Sequence, residues 1–208
     1  MNLTPIKQIA FDAIYEKISW YGEKSGKYYH GERVAKLALT LRKYILPDKN
    51  THDDIITVAA WFHDILNGEH DHSLAGAEKT KILLAGHCTE YETQETYDII
   101  YRHDERIADR DSFSVYAKIH QDADFLDHLG SFGIWQLFLD VPRRGRNIIE
   151  TIEDMKKWLT DLETKYEYVL NFDVSKKIYR EKVKFFRLFT ERFSVEGTGG
   201  LWGENDII

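Results

Sequence analysis

The sequence predicts an all-α protein. Only three prolines, Pro5, Pro47 and Pro142, interrupt 208 residues, apolar side chains recur at helical spacing, and the longest apolar run shows no strand-like alternation. Counting from His30, residues Val34, Leu37, Ala38 and Leu41 fall at i+4, i+7, i+8 and i+11, one face of a helix that Pro47 stops. The run from Ile55 to Phe62 is apolar at seven of eight positions. So continuous a run is a buried helix or a buried strand, and the lack of alternation or of a partner strand nearby favours helix.

Further helices are expected at about 73–86, where Leu74, Ala77, Ile82 and Leu83 mark the apolar face, and at 92–103, 114–128, 148–170 and 174–193. The last two are laced with charge (Glu150, Glu153, Asp154, Lys156 and Lys157, then Lys176, Lys177, Arg180, Glu181 and Lys182) and form an antiparallel hairpin turning near 171–175. The expected organisation is one helical-bundle domain over 1–196, with a core over 25–130 and the hairpin over 148–193. A flexible tail over 197–208 follows, in which four of the first seven residues are glycine.

A chain of this length buries roughly 70% of its unfolded surface, enough for a core without covalent staples. Its 43% hydrophobic and 30% charged residues exclude a disordered chain. A net charge of -7 argues against a protein that coats nucleic acid, which needs a basic surplus to displace counterions. Cys88 is the sole cysteine, which excludes an internal disulfide and a cysteine zinc site. Residues 1–20 hold no apolar targeting core, and no stretch reaches the roughly 18 apolar residues of a membrane span. The expectation is a cytoplasmic protein without membrane or stable nucleic-acid partners, in which the long hairpin could pair with a second copy.

The chemistry concentrates at His63–Asp64, at the end of the most apolar segment. An ionised aspartate beside Trp61 and Phe62 is costly without a neutralising partner, and a divalent cation is such a partner. His30 lies on the apolar stripe of its own helix, and Asp124 lies on another mainly apolar helix. Each alone has a bland reading, as a satisfied core histidine, a helix-end pair or a solvated acidic face. Together, His30, His63, Asp64 and Asp124 make a set of two imidazoles and two carboxylates, suited to Mn, Fe, Co, Ni, Mg or Zn. Fixed positive charge is carried by Arg33, one helical turn from His30, by Lys79, and by the basic loop of Arg143, Arg144 and Arg146.

The ordered pattern His, His-Asp, Asp resembles the HD-domain superfamily of metal-dependent phosphohydrolases. The matching residues are His30 in Tyr29-His30-Gly31-Glu32-Arg33-Val34, then His63–Asp64, then Asp124. The segments Ala75-Gly76-Ala77-Glu78-Lys79 and Asp122-Ala123-Asp124-Phe125-Leu126-Asp127-His128-Leu129-Gly130 are also similar to family segments. Glu153-Asp154-Met155 at the hairpin is similar to a bacterial subgroup of stand-alone HD hydrolases. The resemblance covers about 10–195. A wheel anchored by Ile119, Ala123 and Leu126 puts Asp122 nearer the core than Asp124, whereas the family's Ala-Asp-x-x-Asp pattern implies Asp124 as the ligand; Asp122 stands as the alternative.

The resemblance implies a single-domain HD-type bundle that cleaves a phosphate ester or anhydride, of a nucleotide above all, by metal-activated water. Asp64, Arg33 and Lys79 are the catalytic candidates. His72 and His103 match positions where some subgroups hold a second metal, and Asp127, His128 and Arg144 are substrate-binding candidates. A general acid or base is expected among Glu69, His70 and Asp71, while His52 and His87 read as surface residues. Two other classes stay open: an inactive nucleotide-binding HD module, and a di-iron oxygenase using His72 and His103.

Overall fold

A computed structural model describes residues 1–107 and 110–203. Among these, nine α-helices and two short 3₁₀ turns account for the regular structure, and the only strand-like feature is an isolated bridge between Ile18 and Lys24. The helices are α1 (Leu3–Ile14), α2 (Gly26–Ile45), α3 (Asp53–Phe62), α4 (His72–Leu83), α5 (Glu90–Arg102), α6 (Val115–Asp127), α7 (Ser131–Arg143), α8 (Ile148–Lys165) and α9 (Asp173–Gly197). No described helix is long and apolar enough to cross a membrane. The chain divides into two compact units, Met1–Asp127 with Val169–Ser175, and His128–Tyr168 with the residues from Lys176 onward. The division falls at Asp127–His128, inside the core expected over 25–130.

In the first unit α3 is the central element. Every residue from Ile55 to Phe62 is buried, and α1, α2, α4, α5 and α6 pack around it, which is why its sequence is apolar on all sides. Each Ile or Phe so buried contributes roughly 1.5–3 kcal/mol by removal of its surface from water. Acidic Asp53 and Asp54 open α3, favourably placed for its dipole, and Asp53 clamps buried Arg42 from the last turn of α2 (2.7 and 2.6 Å). Small residues on α2, among them Gly31, Ala35 and Ala38, line the face it turns inward.

Helix α1 has no counterpart in the sequence expectations. Its buried residues Ile6, Ala10 and Ile14 recur every four positions, on a helix that also carries Leu3, Ile9, Phe11 and Ala13. Pro5 sits in its first turn, where backbone N–H groups have no intrahelical acceptor to lose. Helix α5 begins with a reciprocal capping box between Thr89 and Glu92. Residues 169–175 close the unit: the Asn171 and Phe172 backbone N–H groups and the Asn171 amide donate to the Asp122 carboxylate.

In the second unit α8 starts at a second capping box, Asn147 with Glu150. The Tyr179 hydroxyl donates to the Leu162 carbonyl, and Arg187 reaches Glu163 at 2.7 Å, so α8 and α9 run as the expected hairpin. Its buried seam includes Met155, Leu162, Tyr179, Val183 and Phe186. The boundaries differ from expectation: α8 ends at Lys165, a 3₁₀ turn occupies Glu167–Val169, and α9 runs on through Gly197. Of the expected tail, 204–208 lie outside the described residues. Helix α7 is also additional, its Gly133 and Pro142 having masked a helical run in which Pro142 occupies the last turn.

Candidate metal centre

Two helices that pack together deliver the two histidines. His30 comes from the buried face of α2, and His63 follows the last turn of α3, its backbone N–H still bonded to the Ala59 carbonyl (2.9 Å). Each imidazole is oriented through Nδ1. His63 donates to the Ala60 carbonyl (2.9 Å), and His30 donates to Asp127 Oδ2 (2.8 Å). The two Nε2 atoms therefore face each other, 3.2 Å apart, and Asp124 Oδ1 from α6 lies 3.0 Å from His30 Nε2 and 3.5 Å from that of His63. Asp64 Oδ2 is 3.8 Å from both Nε2 atoms.

This donor set fits a divalent ion. Two imidazoles present one nitrogen each to a common point while their other nitrogens are held by a carboxylate and a carbonyl, and a carboxylate oxygen joins them. All four residues are buried, His63 to 1% exposure. Burial disfavours charge on His30, but the Asp124 and Asp127 carboxylates outweigh it and lift its pKa to about 9. Burial likewise opposes ionisation of Asp64, Asp124 and Asp127, yet all three are held below the usual carboxylate range, Asp64 by His63 and Lys27, the others chiefly through His30.

Every carboxylate of the cluster also meets a cation. Lys27 Nζ is 2.5 Å from Asp64 Oδ2, Arg106 Nη2 is 2.5 Å from Asp124 Oδ2, and Arg33 forks onto Asp127 (2.9 and 2.8 Å). Arg33 thus touches the cluster through Asp127, which in turn orients His30. Lys27 and Arg106 escaped the sequence reading. Lys27 is one turn before His30, a signal the spacing carried, but Arg106 lies in a charged, non-periodic stretch whose fold alone turns it inward.

A second group adjoins the first. Asp64, His72 and His103 offer ligand atoms within 4.8 Å of one another. Buried His103 donates from Nδ1 to the Ile100 carbonyl (2.6 Å), and His72 Nε2 meets Asp104 Oδ2 at 2.9 Å. Burial lowers the pKa of His103. Beside both groups lies His120, one turn before Asp124, fully buried, with its ring 5.0 Å from that of His63 and 6.3 Å from that of His103. Neither His120 nitrogen has a hydrogen-bond partner among the described residues, and burial pushes its pKa well below that of a free histidine. His120 too was missed, although a residue four before Asp124 shares its helical face.

Other sequence candidates lie elsewhere. Asp122 accepts the 171–172 amides; burial raises its pKa. Lys79 is exposed on α4. His70 is 93% exposed and pairs with Asp71 at 2.8 Å. His128 and Arg144 belong to the second unit, where His128 meets Gln136 (3.1 Å) and exposed Arg144 faces Asp140 and Asp154. His52, expected at the surface, stacks on Tyr116 with ring centres 4.0 Å apart, because the α3 N-terminus brings it against α6; His87 is exposed.

Neither a family model nor a curated protein matches this chain. Solved structures do. A protein described as an HD-superfamily hydrolase from Bacillus thuringiensis is 24% identical and superposes with a TM-score of 0.68 over 95% of this chain and 98% of its own. A predicted HD-superfamily hydrolase from an uncultured Thermotogales bacterium is 22% identical, with a TM-score of 0.61 over 94% and 99%. Bacillus subtilis YpgQ in complex with ADP is 20% identical, with a TM-score of 0.62 over 91% and 93%. The fold that brings His30, His63, Asp64 and Asp124 together is shared with these solved structures.

Proposed function

We propose that this protein is a metal-dependent phosphohydrolase that cleaves a phosphate ester or anhydride of a nucleotide. One observation carries the reading: two oriented imidazole nitrogens and a carboxylate oxygen converge within 3.0–3.5 Å in a buried site, with a second carboxylate 3.8 Å away. His30, His63, Asp124 and Asp64 would hold the ion. When bound, a divalent ion there supplies Lewis acidity, polarising a phosphoryl oxygen and acidifying water.

The chain's own residues do the rest. Asp64, kept ionised, accepts the proton of the attacking water. Asp127 fixes the His30 tautomer, and Arg33 fixes Asp127, which makes Arg33 a positioning residue. Lys27 and Arg106 offset negative charge on the phosphoryl oxygens. The nucleotide in this reading is supported by YpgQ, a protein of the same fold, in complex with ADP.

The test is elemental analysis of protein purified without added metal, followed by phosphate release from a nucleotide panel with Mn, Co, Ni and Mg. One equivalent of ion and turnover of a nucleotide, both lost in His63→Ala and Asp64→Ala, are expected. No metal after incubation with these ions, or full activity in either variant, overturns the reading. Binding of a nucleotide without turnover would instead support an inactive module. The second group of Asp64, His72 and His103 favours one other reading, a di-iron oxygenase, which requires two equivalents of iron.

A further inference from the structure

Asp64 stands between the two ligand groups. Its Oδ2 is 3.8 Å from the Nε2 atoms of the first, and its carboxylate completes the second with His72 and His103. To serve two ions it would have to bridge them through its carboxylate. Both oxygens are engaged: Oδ1 accepts from the Asn67 amide at 2.9 Å, and Oδ2 faces the Lys27 ammonium at 2.5 Å. Asp124 differs. Arg106 takes its Oδ2, while Oδ1 stays turned towards both histidines.

We propose that Lys27 limits this centre to one divalent ion. It sits one turn before His30 on the same helix, so the backbone that places a ligand also places the ammonium, whose side chain is only 18% exposed. Its charge neutralises the one carboxylate of the second group and repels a further cation in surroundings where such repulsion is weakly screened. The other donors of that group, His72 and His103, bring no negative charge of their own; Asp104 beyond them is half exposed and engaged by His72. The first group has Asp124 Oδ1 turned towards both Nε2 atoms, with Asp127 behind His30, and still binds an ion beside the same lysine.

This inference rests on the metal centre proposed above, and the readout is metal stoichiometry rather than turnover. Wild-type protein and the Lys27→Met, Lys27→Gln and Lys27→Arg variants are titrated with Mn²⁺, counting bound ion by elemental analysis after desalting and recording the EPR signal for spin coupling. Wild type and Lys27→Arg should hold one uncoupled ion. Lys27→Met and Lys27→Gln should take up a second, spin-coupled ion at concentrations about tenfold or more below any second binding in wild type. His103→Ala in the Lys27→Met background should abolish that second ion, locating it at the second group. Two tightly bound ions in wild type overturn the proposal, as does a single ion in a neutral variant that circular dichroism shows to be folded. If one neutral variant does not fold, the other decides. No ion in wild type at all would instead overturn the metal centre itself.

Discussion

Gly31 lies against the backbone of Ala60: a Cβ at position 31 would stand 2.8 Å from the Ala60 carbonyl oxygen and 3.2 Å from the Trp61 Cα. The contact brings α2 onto α3 between the residues that carry His30 and His63. Because the obstacle is backbone, it cannot turn aside as a side chain could. Gly31→Ala should force the helices apart, destabilising the protein by roughly 1–3 kcal/mol. Displaced histidines should also lower metal retention, and thermal melting with a metal count reads both.

Removing a ligand should act differently from removing a support. His30→Ala, His63→Ala and Asp124→Ala should weaken divalent-ion binding by more than about 100-fold, the upper end for groups one step removed. Competition with a fluorescent chelator measures the loss. Wild-type affinity in any of the three would contradict the assigned centre.

Asp127 touches His30 and not the proposed ion position. Asp127→Asn retains an acceptor for His30 Nδ1 but loses the charge that Arg33 grips, so metal affinity should fall by about 10–100-fold in a folded protein. Arg33→Met should produce a smaller change in the same direction. The same competition assay distinguishes the two from ligand variants.

The pH dependence follows from His30. Its folded pKa of about 9 lies above the ordinary 6.5, so in metal-free protein its contribution to stability is complete below about pH 6.5 and lost as pH rises through 9. The loss should run at up to about 1.4 kcal/mol per pH unit. An ion must displace the Nε2 proton, so metal affinity should climb by about tenfold per pH unit across the same interval and level off above it. Chemical denaturation without metal and ion titrations between pH 6 and 10 check the two slopes; a flat affinity profile would remove His30 from the ligand set.

Away from the centre, Arg42 is 4% exposed and its guanidinium forks onto Asp53. Asp53→Ala leaves a buried cation without its partner. Since Asp53 itself is part exposed, the destabilisation should be roughly 2–4 kcal/mol, somewhat under that of a wholly buried pair. Urea denaturation measures it, and metal binding should survive.

The sequence by itself determined the helical class, the buried nature of 55–62, the hairpin near 148–193 and four residues, His30, His63, Asp64 and Asp124, that the fold brings into one buried cluster. Periodicity and the expense of a buried aspartate are local properties, legible without a fold. It could not separate Asp122 from Asp124, because both lie on a helix buried on several sides and a helical wheel is ambiguous there. Tertiary structure separates their surroundings: Asp122 accepts the amides of 171–172, while Asp124 faces His30. It likewise decided that Lys27 and Arg106 bring charge to the cluster, that Arg33 reaches it through Asp127, and that His120 is enclosed without a hydrogen-bond partner among the described residues. Those relations join residues as many as 94 positions apart, and spacing along one helix says nothing about which side chains a packed neighbour brings within 3 Å.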